Sequence, residues 1–257
     1  MDLVNGSPRD QHLVVVVAHP DDESFGCGSL IARAAAAGTK VTVVCATRGE
    51  MGEREPDPDT DHLDLAEVRE RELRDAAVVL GVDVVELLDH ADSGFDGAMP
   101  EGALCARPLV ELADELDGVV SRLRPTDVLI LDGSDGHRDH QHLRDAVALV
   151  LRRHPDVRLV QSSLANSLMR RWIDEMRVRR PDTAYLEIDL DAIGRPDDEL
   201  RAIDTTAHLR TREQAMACHR SQRSPYDDLS PALRRAFLTT DFVVATPPAP
   251  STDGAAR

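Results

Sequence analysis

The chain has 257 residues, 42% of them apolar, enough for one large domain with a substantial core. Its formal charge of −17 argues against a nucleic-acid or anionic-membrane partner, because both require a basic field. No apolar run reaches the roughly eighteen residues of a membrane span, and the first ten residues hold no signal-peptide core. The four cysteines (Cys27, Cys45, Cys105, Cys218) form no CxxC pair, so reduced thiols in a cytoplasmic protein are expected.

Apolar runs alternate with helical patterns along the chain. His12 to Ala18, Lys40 to Ala46, Asp83 to Leu88, Asp127 to Leu131 and Arg158 to Leu164 read as strands. Ser29 to Ala37, Leu65 to Leu80, Leu109 to Leu123 and His142 to Arg153 read as helices, with Gly38 and Gly81 placed as C-cap glycines. A helix is expected at "RRWIDEMRVRR", a late strand at Ala184 to Leu190 and a long helix from Glu199 to Arg220. Residues 1–245 read as one domain, and the Pro-rich segment 246–257 as a disordered tail. The alternation predicts an α/β, Rossmann-like three-layer fold with a mostly parallel sheet.

Two polar clusters stand where such a sheet binds its ligands, beyond the carboxyl ends of strands. The first is "AHPDDE", with His19, Asp21, Asp22 and Glu23 directly after a run of four valines. The second is the loop "DGSDGHRDHQH", with Asp135, His137, Asp139, His140 and His142. Alone, a strand-end Asp is more often a helix N-cap, and a His-rich loop is more often a solvated one. Two such clusters on one sheet edge can converge, and imidazoles plus a carboxylate make a catalytic divalent-metal set with an open position. His62, His90, His142, His154 and His208 read as ordinary histidines. "GCGSLI" could open a dinucleotide fingerprint, but Ile31 replaces the third glycine and the carboxylates before it would repel a pyrophosphate. Gly26 and Gly28 are better read as allowing a tight turn and close helix packing beneath the loop.

The residues together resemble the LmbE-like, or PIG-L, family of zinc-dependent de-N-acetylases. The resemblance rests on "AHPDDE" with the downstream His137-x-x-His140, and extends to "TRGEMGE" (47–53), "LAEVREREL" (65–73), "HADSGF" (90–95) and "CHRSQ" (218–222). It implies that His19, Asp22 and His140 bind Zn2+, with Fe2+ or another divalent metal as substitutes. It implies Asp21 as the general base, His137 as the group facing the substrate carbonyl, and Arg69 and Asp92 as holders of sugar hydroxyls. Glu23 is expected to cap the next helix or support a ligand. No clear match is found for the aromatic that some members place over the site; "SLMRRWIDEM" occupies that region.

The expected function is hydrolytic removal of an N-acetyl group from an amino-sugar-containing small molecule, with no nucleic-acid or membrane partner and a homo-oligomer left open. An amidase on a thiol-sugar conjugate, similar to mycothiol conjugate amidase, and a secondary-metabolite deacetylase are the rivals within the class. A non-hydrolytic dinucleotide-binding module is the rival outside it.

Overall fold

The computed structural model describes residues 11–181, 186 and 193–244. Its centre is a seven-stranded sheet: β1 (His12–Val17), β2 (Lys40–Cys45), β3 (Val84–Leu87), β4 (Asp127–Leu131), β5 (Arg158–Ser163), β6 (Leu200–Asp204) and β7 (Thr240–Val244). They lie in the order β3-β2-β1-β4-β5-β7-β6. The first five run parallel, and β7 and β6 add antiparallel pairs at one edge.

The valine run explains itself through packing. Val15 and Val17 join a core on one face with Leu30, Ile31, Leu73 and Leu80. Val14 and Val16 join a second core on the other face with Leu112, Leu116, Leu143 and Val147. A strand buried on both faces needs an unbroken apolar run, as in α/β sheets generally. The helices supplying these faces are α2 (Gly28–Ala36), α3 (Leu65–Leu80), α4 (Leu109–Leu123) and α5 (Arg138–Leu151). Ahead of α2, the single turn α1 (Asp22–Phe25) follows β1 directly. A third cluster joins α6 (Asn166–Arg179), α7 (Leu209–Met216) and α8 (Pro231–Thr239) around Trp172, Tyr226 and Phe237. Among the described residues no helix is long and apolar enough to cross a membrane.

Gly81 caps α3 in the left-handed region at φ 79°, and Gly38, at φ 86°, sits just past α2. Gly26 and Gly28 have no such need. A Cβ at Gly26 would meet Leu131, and one at Gly28 would meet Arg212, so close approach accounts for both.

Two expectations are corrected. The long helix from Glu199 to Arg220 is replaced by strand β6, a 3-10 turn at Thr206–His208, and the short α7. Pairing of Leu200–Asp204 with β7 outweighs its helical pattern, and Thr205 turns the chain by a 2.6 Å hydroxyl bond to Asp241. The helix expected from His142 begins four residues earlier, at Arg138, because His137 is its N-cap: the His137 Nδ1 accepts the Asp139 N–H. The strand expected at Ala184 to Leu190, apart from Leu186, and the tail from 246 lie outside the described residues.

Candidate metal centre and active site

The chain leaves β1 for β2 and β3 on one side, then returns to β4 on the other. The point between β1 and β4 is therefore the topological switch point, where a crevice opens beyond the strand ends. His19 and Asp22 follow β1; His140 lies in the first turn of α5 after β4.

Three donor atoms meet there. His140 Nε2 is 3.3 Å from His19 Nδ1 and 3.2 Å from Asp22 Oδ2, and His19 Nδ1 is 3.5 Å from Asp22 Oδ2. Ligands at Zn–N and Zn–O distances of about 2.0–2.1 Å on a tetrahedron stand about 3.3–3.4 Å apart. The triangle thus has the size of one face of a zinc coordination shell. The outward nitrogens are also accounted for. His140 Nδ1 meets Asp135 Oδ2 at 2.5 Å; His19 Nε2 meets Asp139 Oδ2 at 3.2 Å and Asp92 Oδ1 at 3.3 Å. Carboxylates on the far side of each imidazole fix the tautomer that points the other nitrogen at a metal. All three donors are buried, with the His19 main-chain N–H closing a turn onto Asp22 Oδ2 at 2.8 Å. The donor set fits a divalent metal.

The electrostatics agree. Burial opposes charge on His140, yet Asp135 and Asp22 raise its pKa to about 10. Burial likewise disfavours a charged His19, but bonds to Asp139, Asp22 and Asp92 lift it well above its ordinary value. Burial would raise Asp22, and the two imidazoles instead hold it well below the carboxylate range. The site is built to hold positive charge.

His137 stacks on His140 with ring centroids 4.8 Å apart and meets His19 edge-on at 4.5 Å. Burial, then the charges of His19 and His140, lower its pKa to about 4, so the ring is neutral. Its Nδ1 accepts a main-chain N–H, which assigns the single proton to Nε2. His142 turns away and bonds the Arg107 carbonyl at 3.0 Å.

Asp21 has an unusual backbone, φ 129° and ψ −28°, and keeps its side chain partly open to solvent. Burial raises its pKa to about 6, against the opposing pull of Arg69. Arg69 donates to Asp21 Oδ2 at 2.9 Å and to the Pro20 and Gly49 carbonyls at 2.5 Å each. A Cβ at Gly49 or Gly52 would overlap that guanidinium, which explains the glycines of the 47–53 loop. Asp92 is buried too; besides His19 it accepts the Gly94 N–H at 2.8 Å and the Met51 N–H at 3.2 Å. Arg69 and Asp92 thus stand beside the centre, largely engaged by protein groups.

Several site residues carried no assigned role in the sequence reading. Asp135 and Asp139 orient the two imidazoles. Arg138 donates to the carbonyls of Gly94 at 2.7 Å, Gly97 at 3.1 Å and Asp96 at 2.8 Å, and to that of Ser93, holding the whole 93–97 loop. That loop carries Phe95, whose ring lies 5.5 Å from His137. Trp172 is buried in the third cluster with its indole N–H on the Pro225 carbonyl, as an interior residue.

Fold and donor set together give an α/β domain whose switch point carries a His/Asp cluster able to hold a metal ion. The chain belongs to the PIG-L family: residues 14–151 match the family described as GlcNAc-PI de-N-acetylase. It is 33% identical to a 1D-myo-inositol 2-acetamido-2-deoxy-alpha-D-glucopyranoside deacetylase of Nocardioides sp., covering 83% of each chain. Among solved structures, the N,N'-diacetylchitobiose deacetylase of Pyrococcus horikoshii has a TM-score of 0.58 at 20% identity, covering 92% of this chain and 84% of that one. A 4-carboxy-2-hydroxymuconate hydratase of Pseudomonas putida scores 0.59 at 18% identity, covering 94% and 98%. Likeness at that level establishes the fold and leaves the reaction to the site.

Proposed function

We propose that this chain is a metal-dependent hydrolase that removes the N-acetyl group from an amino sugar in a small molecule, with zinc as the metal. The observation that carries the reading is the triangle of His19 Nδ1, Asp22 Oδ2 and His140 Nε2, flanked by a neutral His137 and by Asp21. The Nocardioides relative, named as a deacetylase of an acetamido-deoxy-glucopyranoside, supports the substrate class. N and O donors suit zinc and also admit iron(II). Four widely spaced cysteines without a CxxC pair support a cytoplasmic setting.

A divalent metal held by His19, Asp22 and His140 would supply Lewis acidity toward the amide carbonyl and lower the pKa of water toward about 7. Asp21 takes the proton of the attacking water. The His137 Nε2–H donates to the carbonyl oxygen as negative charge develops there, the role of an oxyanion donor. Asp21, then protonated, returns the proton to the leaving amine, so the amide is exchanged for acetate and free amine. His137 is a poor proton source, because its Nδ1 is already an acceptor. Arg69 and Asp92 take the sugar side: the carboxylate of Asp92 has lone-pair capacity beyond its three bonds, and Arg69 stands beside Asp21 at the rim of the centre.

The test is acetate release by the zinc-loaded protein from an N-acetylglucosaminyl inositol, free N-acetylglucosamine, a thiol conjugate of the same sugar and a simple N-acetyl amino acid. The glucosaminides should lead, with deoxy analogues slowed by about 10-fold or more per lost hydroxyl bond. Equal kcat/KM for the glucosaminide and the N-acetyl amino acid would refute the amino-sugar assignment. Preference for the thiol conjugate would support the conjugate amidase, and one-to-one nicotinamide nucleotide binding without metal would support the binding module.

A further inference from the structure

The segment "CHRSQ" finds no use in the chemistry above, yet His219 is one of the most enclosed groups near the site. Its side chain and that of Glu23 are both fully buried, and His219 Nε2 lies 2.6 Å from Glu23 Oε1. The Phe25 ring meets the imidazole edge-on at 5.8 Å, and His219 Nδ1 has no partner among the described residues. Glu23 accepts, so His219 Nε2 must donate. Glu23 is also held by the Ser24 hydroxyl at 2.5 Å, and its other oxygen, Oε2, accepts the main-chain N–H of Asp21 at 2.9 Å.

Asp21 is one of two non-glycine residues with positive φ among the described residues. Such a backbone persists only where its surroundings over-determine it. The peptide between Pro20 and Asp21 is gripped at both ends: Arg69 donates to its carbonyl, and Glu23 accepts from its N–H. The Asp21 carbonyl in turn accepts the N–H groups of Ser24 at 2.9 Å and Phe25 at 2.7 Å. Arg69 reaches this peptide from helix α3, and Glu23, only two residues from Asp21, is held from far along the chain by His219.

We infer that His219, acting through Glu23, is a positioning residue: it locks the Pro20–Asp21 peptide plane and thereby aims the Asp21 carboxylate at the reacting water. The inference rests on the reading of Asp21 as the base. Histidine is needed because its Nε2 reaches Glu23; glutamine can place an N–H at similar reach, whereas asparagine is too short.

The experiment compares His219→Leu, His219→Gln and His219→Asn as zinc-loaded proteins, each alone and with Asp21→Asn, on an N-acetylglucosaminide that the wild type hydrolyses. His219→Leu and His219→Asn should lose about 10- to 100-fold in kcat, the scale of a slightly misplaced catalytic group, with KM and bound zinc within about twofold of wild type. His219→Gln should recover most of the loss. With Asp21→Asn in place the same substitutions should cost less than about threefold, since residues acting as one unit are not additive. Equal losses with and without Asp21 would reduce His219 to a packing role and overturn the inference, as would equal kcat for the Gln and Asn variants. The Gln–Asn comparison decides the matter if His219→Leu fails to fold. Wild-type turnover in Asp21→Asn alone would remove Asp21 from the chemistry, and the role of His219 with it.

Discussion

At the residue scale, neighbours divide the labour by geometry. Asp22 turns its carboxylate onto the two imidazoles, while Asp21, one position earlier, is swung by its positive φ toward Arg69 and solvent. Asp21→Asn should therefore keep its zinc and lose about 10²-fold or more in kcat. His137→Ala should keep zinc and lose a similar factor, on the scale of one oxyanion donor, about 10²–10³. Metal analysis with steady-state kinetics checks both; loss of metal in either variant would put that residue in the ligand set. The carboxylate behind an imidazole has a different signature. Asp135→Asn takes away the charge that faces His140 Nδ1 and should weaken zinc about 10- to 100-fold in a chelator competition, far less than His140→Ala. Unchanged affinity would show that His140 is oriented by helix α5 alone. The two polar clusters were legible in the sequence because they follow the first and fourth strands, and the resemblance, not the pattern, singled out His19, Asp22 and His140 as the proposed donors. The roles of Asp135, Asp139 and His219 were not legible, since each acts on a residue whose side-chain direction the sequence does not disclose.

At the scale of elements, strands β1, β2 and β4 were legible because burial on both faces demands apolar runs, and β1 shows why: its alternate valines feed two separate cores. Strand β6 was misread because only tertiary pairing with β7 makes it a strand, and three of its five residues are exposed. The single turn α1 was hidden by its charges; Asp22 and Glu23 are buried there because each has partners, not because the turn is apolar. The start of α5 depends on a histidine N-cap, a residue type that a capping search passes over. The same turn carries Arg138, whose guanidinium collects four carbonyls of one loop. The 93–97 loop needs that template, with Gly94 at φ 69° and Gly97 at φ 72° curling it around the side chain. Lysine offers a point charge without the fork. Arg138→Lys should raise KM for the sugar substrate about tenfold, keep the zinc, and speed amide hydrogen exchange across Ser93–Gly97. Unchanged exchange in that loop would mean that its glycine turns hold it without the clamp.

At the scale of the whole molecule, the proposed metal centre would also tie distant parts of the chain together. His19 and His140 are 121 residues apart in sequence and meet at 3.3 Å, one after β1 and the other on the helix that follows β4. Around them stand Asp22, Asp92, Asp135 and Asp139, in a chain whose formal charge is already −17. A cation that binds the folded arrangement and not the open chain stabilises the fold by mass action, about 4 kcal/mol when free metal is a thousand times the Kd. For a domain of this size each kcal/mol moves Tm by about 2–4 °C, so zinc at that saturation should raise Tm by roughly 8–16 °C over the chelated protein. His140→Ala removes one donor and should abolish most of that increment, while Asp21→Asn should retain it. Calorimetry with and without chelator makes the comparison and needs no substrate. If the wild type and His140→Ala gained the same increment, the stabilising metal would sit elsewhere, and the three donors at the switch point would lose their assignment.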